Sequence, residues 1–343
     1  MYIYILVILA IILLYNKINT KKINVYDIIL LLILILVCGL RDGVGTDYGL
    51  YKFYYNNIDQ NSRFEIGFRF LIELANKVGI SYNTFLILIS AITITLFYIA
   101  IKKYSSKPAA SIFFFVALGY YAYSFNIIRQ MLAIAITLYG INYIKEKKFL
   151  KYLVLILVAS LFHSTALIMI PVYFLLKLKN NRNNNFILLF ICAILPFLYN
   201  TIFTFIVTNF EQYSAYATIN EYTYTKPGMG TYVIGIVNLV LFIIFAINRN
   251  KLCELENTND IYLKMLSYSL LFTALSFVNS IAVRGGYYLS IYLIYLLPNI
   301  GTCLFKRTNK SFEILVILFF ILYYCIHIIS FNEMLPYNSI LWR

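Results

Sequence analysis

Uninterrupted apolar runs, such as Ile28–Val37 and Ile314–Tyr323, recur along the whole chain, and short clusters of lysine and arginine separate them. A strand crossing a bilayer alternates apolar and polar side chains, whereas a helix crossing the hydrocarbon layer needs about 20 apolar residues in succession. The runs here are continuous, so helices are expected. Composition agrees: 62% of the 343 residues are hydrophobic, 12% are charged, and the mean hydropathy is +0.80. Soluble domains run at roughly half apolar and a quarter charged. The excess has to face lipid, and the expected fold is an all-α, polytopic integral membrane protein.

Breaking the runs at their charge clusters predicts about twelve transmembrane helices. They fall near 2–15, 26–40, 81–101, 108–125, 127–144, 150–162, 164–176, 186–209, 231–248, 265–283, 285–305 and 311–330. In the first run, Lys17, Lys21 and Lys22 follow the apolar residues, whereas a secretory signal carries its charge in front. It reads as a retained helix with its N-terminus outside. Every second connection is then basic: Lys17/Lys21/Lys22, Lys102/Lys103/Lys107, Lys145/Lys147/Lys148/Lys151, Lys177/Lys179/Arg182, Arg249/Lys251/Lys264 and Lys306/Arg307/Lys310. Cytoplasmic loops carry such an excess, which accounts for the formal charge of +14 without a nucleic-acid partner.

Residues 1–343 read as a single transmembrane domain, with 41–80 as a large extracytoplasmic loop after the second helix. Its second half, Glu65–Val78, is expected to form an amphipathic helix lying at the interface. A second outer loop, Phe210–Gly230, is rich in tyrosine, which suits both an interface and sugar contact. The five cysteines are scattered without a C-x-x-C pair, so no disulfide, metal site, thiol nucleophile or cofactor is expected.

The informative residues are those left on the outer side. In Asn126-Ile127-Ile128-Arg129-Gln130, Asn126 is expected to cap a helix whose first turn holds Arg129. A helix N-terminus with an added cation is an anion site, although an arginine there also has the option of snorkelling to headgroups. Arg284-Gly285-Gly286-Tyr287-Tyr288 makes a similar case, since guanidinium matches phosphate oxygens in bidentate fashion. His163 lies between apolar arms too short to span separately, which predicts a helical hairpin turning below the outer surface. It is read as a general base or as a hydrogen-bonded structural histidine, with Ser164 capping the next helix. Arg41-Asp42-Gly43-Val44-Gly45-Thr46-Asp47-Tyr48 fails as a dinucleotide loop, because Tyr48 stands where a third glycine belongs. Its glycines shape a turn presenting Asp47 and Tyr48, and Asp47 is read as a base, a sugar ligand or the partner of an arginine.

In order, Arg41…Gly45-Thr46-Asp47-Tyr48, Phe125-Asn126-Ile127-Ile128-Arg129-Gln130, Phe162-His163-Ser164-Thr165-Ala166 and Arg284-Gly285-Gly286-Tyr287-Tyr288 resemble the EpsG family of bacterial exopolysaccharide proteins. These are similar to the Wzy polymerases of O-antigen and capsule. The likeness runs from about residue 20 to 305, with Pro336-Tyr337 as a weaker match. It implies a multi-pass plasma-membrane glycosyltransferase that polymerises undecaprenyl-diphosphate-linked oligosaccharide repeat units at the extracytoplasmic face, accompanied by a chain-length regulator and a flippase. The resemblance implies Arg129 and Arg284 on the diphosphate and Asp47 or His163 as the base. Arg41, Thr46, Tyr48, Asn126, Gln130, Ser164 and Tyr287 are the expected substrate contacts. The rival readings are a flippase or transporter of lipid-linked oligosaccharide and a glycan ligase.

Overall fold

The computed structural model describes residues 2–58, 64–178, 182–209, 227–305, 310–330 and 334–342. Among them the chain is helical, and Arg41 and Ser339 form an isolated antiparallel bridge. In chain order the helices are α1 (Tyr2–Ile18), α2 (Val25–Gly39), α3 (Tyr48–Asn56), α4 (Ile66–Lys77), α5 (Tyr82–Tyr104), α6 (Pro108–Ala117), α7 (Tyr120–Asn126), α8 (Ile128–Thr137), α9 (Gly140–Lys145), α10 (Phe149–Ser160), α11 (Met169–Leu175), α12 (Arg182–Asn209), α13 (Met229–Ile247), α14 (Arg249–Leu255), α15 (Asn259–Ser276), α16 (Val283–Ser290), α17 (Leu293–Leu296), α18 (Ile300–Leu304) and α19 (Lys310–Ser330). They fall into two compact units, Met1–Tyr173 with Leu297–Arg343, and Phe174–Leu296.

The protein is a multi-pass membrane protein, but its helices are more broken than the apolar runs suggest. Three stretches among the described residues are long and apolar enough to cross a membrane as one straight helix: Tyr82–Tyr104, Asn183–Phe205 and Met229–Ile247. The number rises to five if each of two bent pairs counts as one span. The expected crossing 108–125 is one such pair, bent by 51° between Ala117 and Tyr120, where Gly119 takes φ +86° and ends α6. The expected crossing 285–305 belongs to the other, bent by 45° after Ser290. Others are short: α10 has 12 residues, about 18 Å of helix against a core of about 30 Å. Continuous apolar sequence therefore marks burial in lipid or protein, while breaks and bends set the number of full spans. Much of the expected tyrosine-rich outer loop, together with Arg63, Lys179, Lys226, Lys306, Arg307 and Arg343, lies outside the described residues.

Within the first unit, contacts define two ends. At one, Lys102 Nζ donates to Asp27 Oδ1 at 2.8 Å and to the Ile18 carbonyl at 2.9 Å, and Tyr98 donates to the same Oδ1 at 2.7 Å. Asp27 also closes a capping box with Asn24 at the start of α2. Lys107 reaches the Pro298 carbonyl nearby in the same unit at 2.8 Å, so two of the expected cytoplasmic clusters share this end. The opposite end holds Leu40–Tyr48, the start of α8, the turn at His163 and the tail Met334–Trp342. The tail is tied down by Tyr4 to the Met334 carbonyl (2.9 Å), Tyr337 to the Val37 carbonyl (2.8 Å) and the Ile340 amide to the Leu40 carbonyl (2.9 Å).

The 41–80 segment is a folded subregion. Tyr48, Tyr51, Tyr54 and Tyr55 of α3 pack with Phe64, with Phe68 and Ile72 of α4, and with Tyr82 and Phe85 of α5. α4 covers the stretch expected to be amphipathic: Phe68, Ile72 and Ala75 are buried, while Ile66, Phe70, Leu74 and Val78 are exposed.

Candidate functional site

Arg41 is completely buried. Its Nη1 donates to the Cys38 carbonyl, its Nη2 donates to the Phe125 carbonyl at 3.0 Å, and the guanidinium lies 5.1 Å from the Phe125 ring centroid. Both carbonyls belong to the last turns of helices, α2 and α7, where unsatisfied C=O groups carry partial negative charge. Arg41 thus fastens two helix ends, where a substrate contact was expected. Its Nε has no hydrogen-bond partner among the described residues.

The turn that follows uses Gly43 at φ +65° and Gly45 at φ +98°. A Cβ on Gly45 would stand 2.3 Å from Asn126 Oδ1, so only glycine lets this turn lie against Asn126. Thr46 Oγ1 is 3.5 Å from the same oxygen and 3.4 Å from Asp47 Oδ1. The first two motifs are therefore in contact, but Asn126 is not the expected cap. α7 ends on Asn126 and α8 begins at Ile128, which puts Ile127 at the N-cap position and leaves Asn126 buried in the last turn of α7. Tyr48 is also buried, with its ring edge-on to Tyr82 and its hydroxyl on Asp42 Oδ1 at 3.0 Å. Gln130 is buried; Thr46 is exposed and Asp47 half-buried.

The third motif forms the predicted hairpin. α10 and the 3₁₀ turn Ser164–Ile168 with α11 run back along each other, held by Tyr152 donating to the Met169 carbonyl at 2.7 Å. At the turn, His163 occupies the N-cap position without a side-chain cap, and Ser164, the expected cap, does not supply one. The acceptor comes from another segment: Glu65 Oε1 takes the Ser164 N–H at 3.0 Å and stands 2.9 Å from His163 Nδ1. Glu65 Oε2 pairs with Arg129. Beside it the Gly67 amide donates to the Leu161 carbonyl at 2.8 Å, and a Cβ on Gly67 would meet that oxygen at 2.8 Å. The start of α4 is therefore clasped onto the hairpin turn.

One carboxylate thus joins a guanidinium and an imidazole that lie 34 positions apart in sequence. Arg129 is further held 4.4 Å from the Phe64 ring centroid, and Tyr51 lies within electrostatic reach of both Arg129 and Asp47. The side chains of Glu65, Arg129 and His163 are 17%, 20% and 20% exposed, sheltered yet open to solvent. Burial alone would raise the Glu65 carboxyl; the His163 hydrogen bond, the Arg129 charge and the Ser164 amide outweigh it and hold it down at about 2. The cluster therefore presents an ionised carboxylate, a cation suited to phosphate oxygens, and an imidazole able to move a proton.

Glu65 was not among the expected site residues. The signal was present in its place at the start of an amphipathic helix, in a chain with half as many acidic as basic residues (14 against 28). The fourth motif lies in the second unit. Arg284 is exposed in the first turn of α16, and Tyr287 is buried. A Cβ on Gly286 would meet Phe272 Cβ at 3.0 Å, so this glycine serves the packing of α16 on α15.

The model of the EpsG family matches residues 24–339, nearly the whole chain and all four motifs. Neither the curated proteins nor the solved structures contain a match.

Proposed function

The chain belongs to the EpsG family, an exopolysaccharide-associated, Wzy-like family, and from that premise we propose that it polymerises oligosaccharide repeat units carried on undecaprenyl diphosphate at the outer face of the bacterial plasma membrane. The observation that carries the reading is the Glu65–Arg129–His163 cluster, which joins a phosphate-binding type of side chain to a proton-transferring one in a sheltered position. The outward placement is supported by the basic cluster Lys102–Lys107, which lies at the other end of the same unit.

In the reaction, the hydroxyl at the non-reducing end of one lipid-linked unit attacks the anomeric carbon of the growing glycan on another. The bond from that carbon to the diphosphate oxygen breaks, and its electron pair stays on the diphosphate. Arg129 binds that diphosphate and stabilises the charge developing on it, and Arg284 is proposed independently as a phosphate-binding residue. His163 or Asp47 accepts the hydroxyl proton.

The test is the profile of lipid-linked glycans in a strain lacking the gene, compared with wild type and with Arg129→Ala and Arg284→Ala strains. Single repeat units stranded on lipid at the outer face, with long polymer gone, are expected in all three mutants. Units trapped at the inner face mark a flippase, and long polymer retained on its lipid marks a ligase; either result overturns the assignment.

A further inference from the structure

Two groups are proposed for the role of base in that reaction, and the contacts around Glu65 bear on one of them, His163. The carboxylate is committed on both oxygens. Oε2 is paired with Arg129, while Oε1 accepts the Ser164 amide and meets His163 Nδ1. An ionised carboxylate only accepts hydrogen bonds, so the ring nitrogen facing it carries the proton. In a neutral imidazole the other nitrogen, Nε2, then holds the lone pair. The backbone that carries the ring is fixed. Its backbone amide is bonded to the Ala159 carbonyl at 3.1 Å at the end of α10, and Gly67 holds the start of α4 against the same turn. Asp47 sits at the start of α3 beside the exposed Thr46 hydroxyl.

We propose that Glu65 is a positioning residue that fixes His163 as the Nδ1–H tautomer, making Nε2 the atom that accepts the proton from the attacking sugar hydroxyl, while the same carboxylate sets the Arg129 fork beside it. The identification of Nε2 as base rests on the polymerase reading; the tautomer does not. As the hydroxyl oxygen bonds to the anomeric carbon, its proton passes to Nε2, the glycosyl–diphosphate bond breaks towards the diphosphate, and the imidazolium later returns its proton to water. Glu65 stays ionised throughout and exchanges nothing. Fixing the diphosphate-binding cation and the base through one carboxylate also fixes their spacing, which suits a reaction whose donor and acceptor both arrive as lipid-linked chains.

The tautomer is read directly by histidine-selective ¹⁵N NMR of the full-length protein in nanodiscs. A His327→Gln variant leaves His163 as the sole signal, because the chain has two histidines. A protonated Nδ1 with a bare Nε2, above the pH at which the ring becomes neutral, is the expected result, and a protonated Nε2 overturns the proposal. Elongation kinetics on lipid-diphosphate glycans supply the second measurement. Glu65→Leu is expected to lower kcat by about 100-fold or more with KM changed far less, since loss of an oriented base costs 10²–10⁴. Glu65→Gln, which keeps an acceptor oxygen for Nδ1–H, is expected to recover part of that loss. An unchanged kcat in a folded Glu65→Leu protein overturns the proposal as well. A wild-type protein with the expected tautomer but no elongation of such glycans refutes the polymerase reading instead, so the two failures are separable.

Discussion

Replacing Lys102 with methionine removes the cation from a sealed pair and strands its partner. The Lys102 and Asp27 side chains are 2% and 0% exposed, and Nζ lies 2.8 Å from Oδ1. At that separation Coulomb attraction is ~6 kcal/mol for an effective dielectric constant of about 20. Most of it is offset by the desolvation of two ions, so the intact pair adds little net stability. The single substitution is asymmetric: the attraction is forfeited while the Asp27 carboxylate stays buried, left to the Tyr98 hydroxyl and the Asn24 amide. The expected loss is about 3–5 kcal/mol, the usual cost of breaking a buried pair from one side. Adding Asp27→Asn to Lys102→Met removes the stranded charge yet keeps an oxygen able to serve the Asn24 amide. The double variant should therefore be more stable than Lys102→Met alone. The assay is denaturant or thermal unfolding of the purified protein in one detergent, carried through the full double-mutant cycle. A loss below about 1 kcal/mol for Lys102→Met, or a double variant as unstable as the two single losses added, refutes the reasoning.

Three further outcomes follow from the geometry at the other end of the unit. Gly67→Ala places a Cβ 2.8 Å from the Leu161 carbonyl, and should destabilise the protein by about 1–3 kcal/mol and suppress elongation, whereas Gly49→Ala, with open space around it, should change neither; unfolding and glycan profiles compare them. Glu65 is held at about 2 against an ordinary 4.5, so its ionised form contributes about 3 kcal/mol that is fully present above pH 4.5 and lost as the pH falls through 2. Infrared difference spectra against Glu65→Gln should show its carboxylic-acid band rising near the bottom of that window, and a band already developed near pH 4.5 refutes the shift. Tyr337→Phe removes the bond to the Val37 carbonyl and should cost about 1 kcal/mol, while ending the chain before Met334 also removes the bridge at Arg41 and should cost several times more by the same unfolding assay.

Helical class and membrane residence were legible because they depend on apolar runs, which composition and order display directly. The hairpin at His163 was legible for a related reason: two arms too short to span can only turn back between basic clusters that want the same side. Other features depend on single residues whose meaning is set by tertiary contact. Arg41 carries an outward-looking motif in the sequence, yet the turn made by Gly43 and Gly45 folds it inward against carbonyls of α2 and α7. Asn126 is a good N-cap by residue type, but the break between α7 and α8 falls at Ile127, one residue later. Glu65 was hidden for the opposite reason. Its neighbours in sequence do not reveal its partners, which lie 64 and 98 positions away.

The two committed carboxylates of the first unit show why burial, rather than charge alone, separates structural from functional ion pairs here. Asp27 and Lys102 are sealed at 0% and 2% exposure, so no substrate reaches them, and their work is to lock α2 against α5 and the end of α1. Glu65, Arg129 and His163 are only partly covered, at 17–20% exposure, and the carboxylate leaves the far side of the imidazole for another partner. A pair kept for fold should be replaceable by uncharged residues with stability as the only casualty. A cluster kept for chemistry should lose turnover before it loses its fold. Substitutions at Lys102 and Asp27 that retain the fold are therefore expected to leave elongation intact, and Glu65→Leu to lower turnover by about 100-fold or more in protein that still folds. The reverse pattern would mean that the sealed pair, not the open cluster, lies on the path of the reaction.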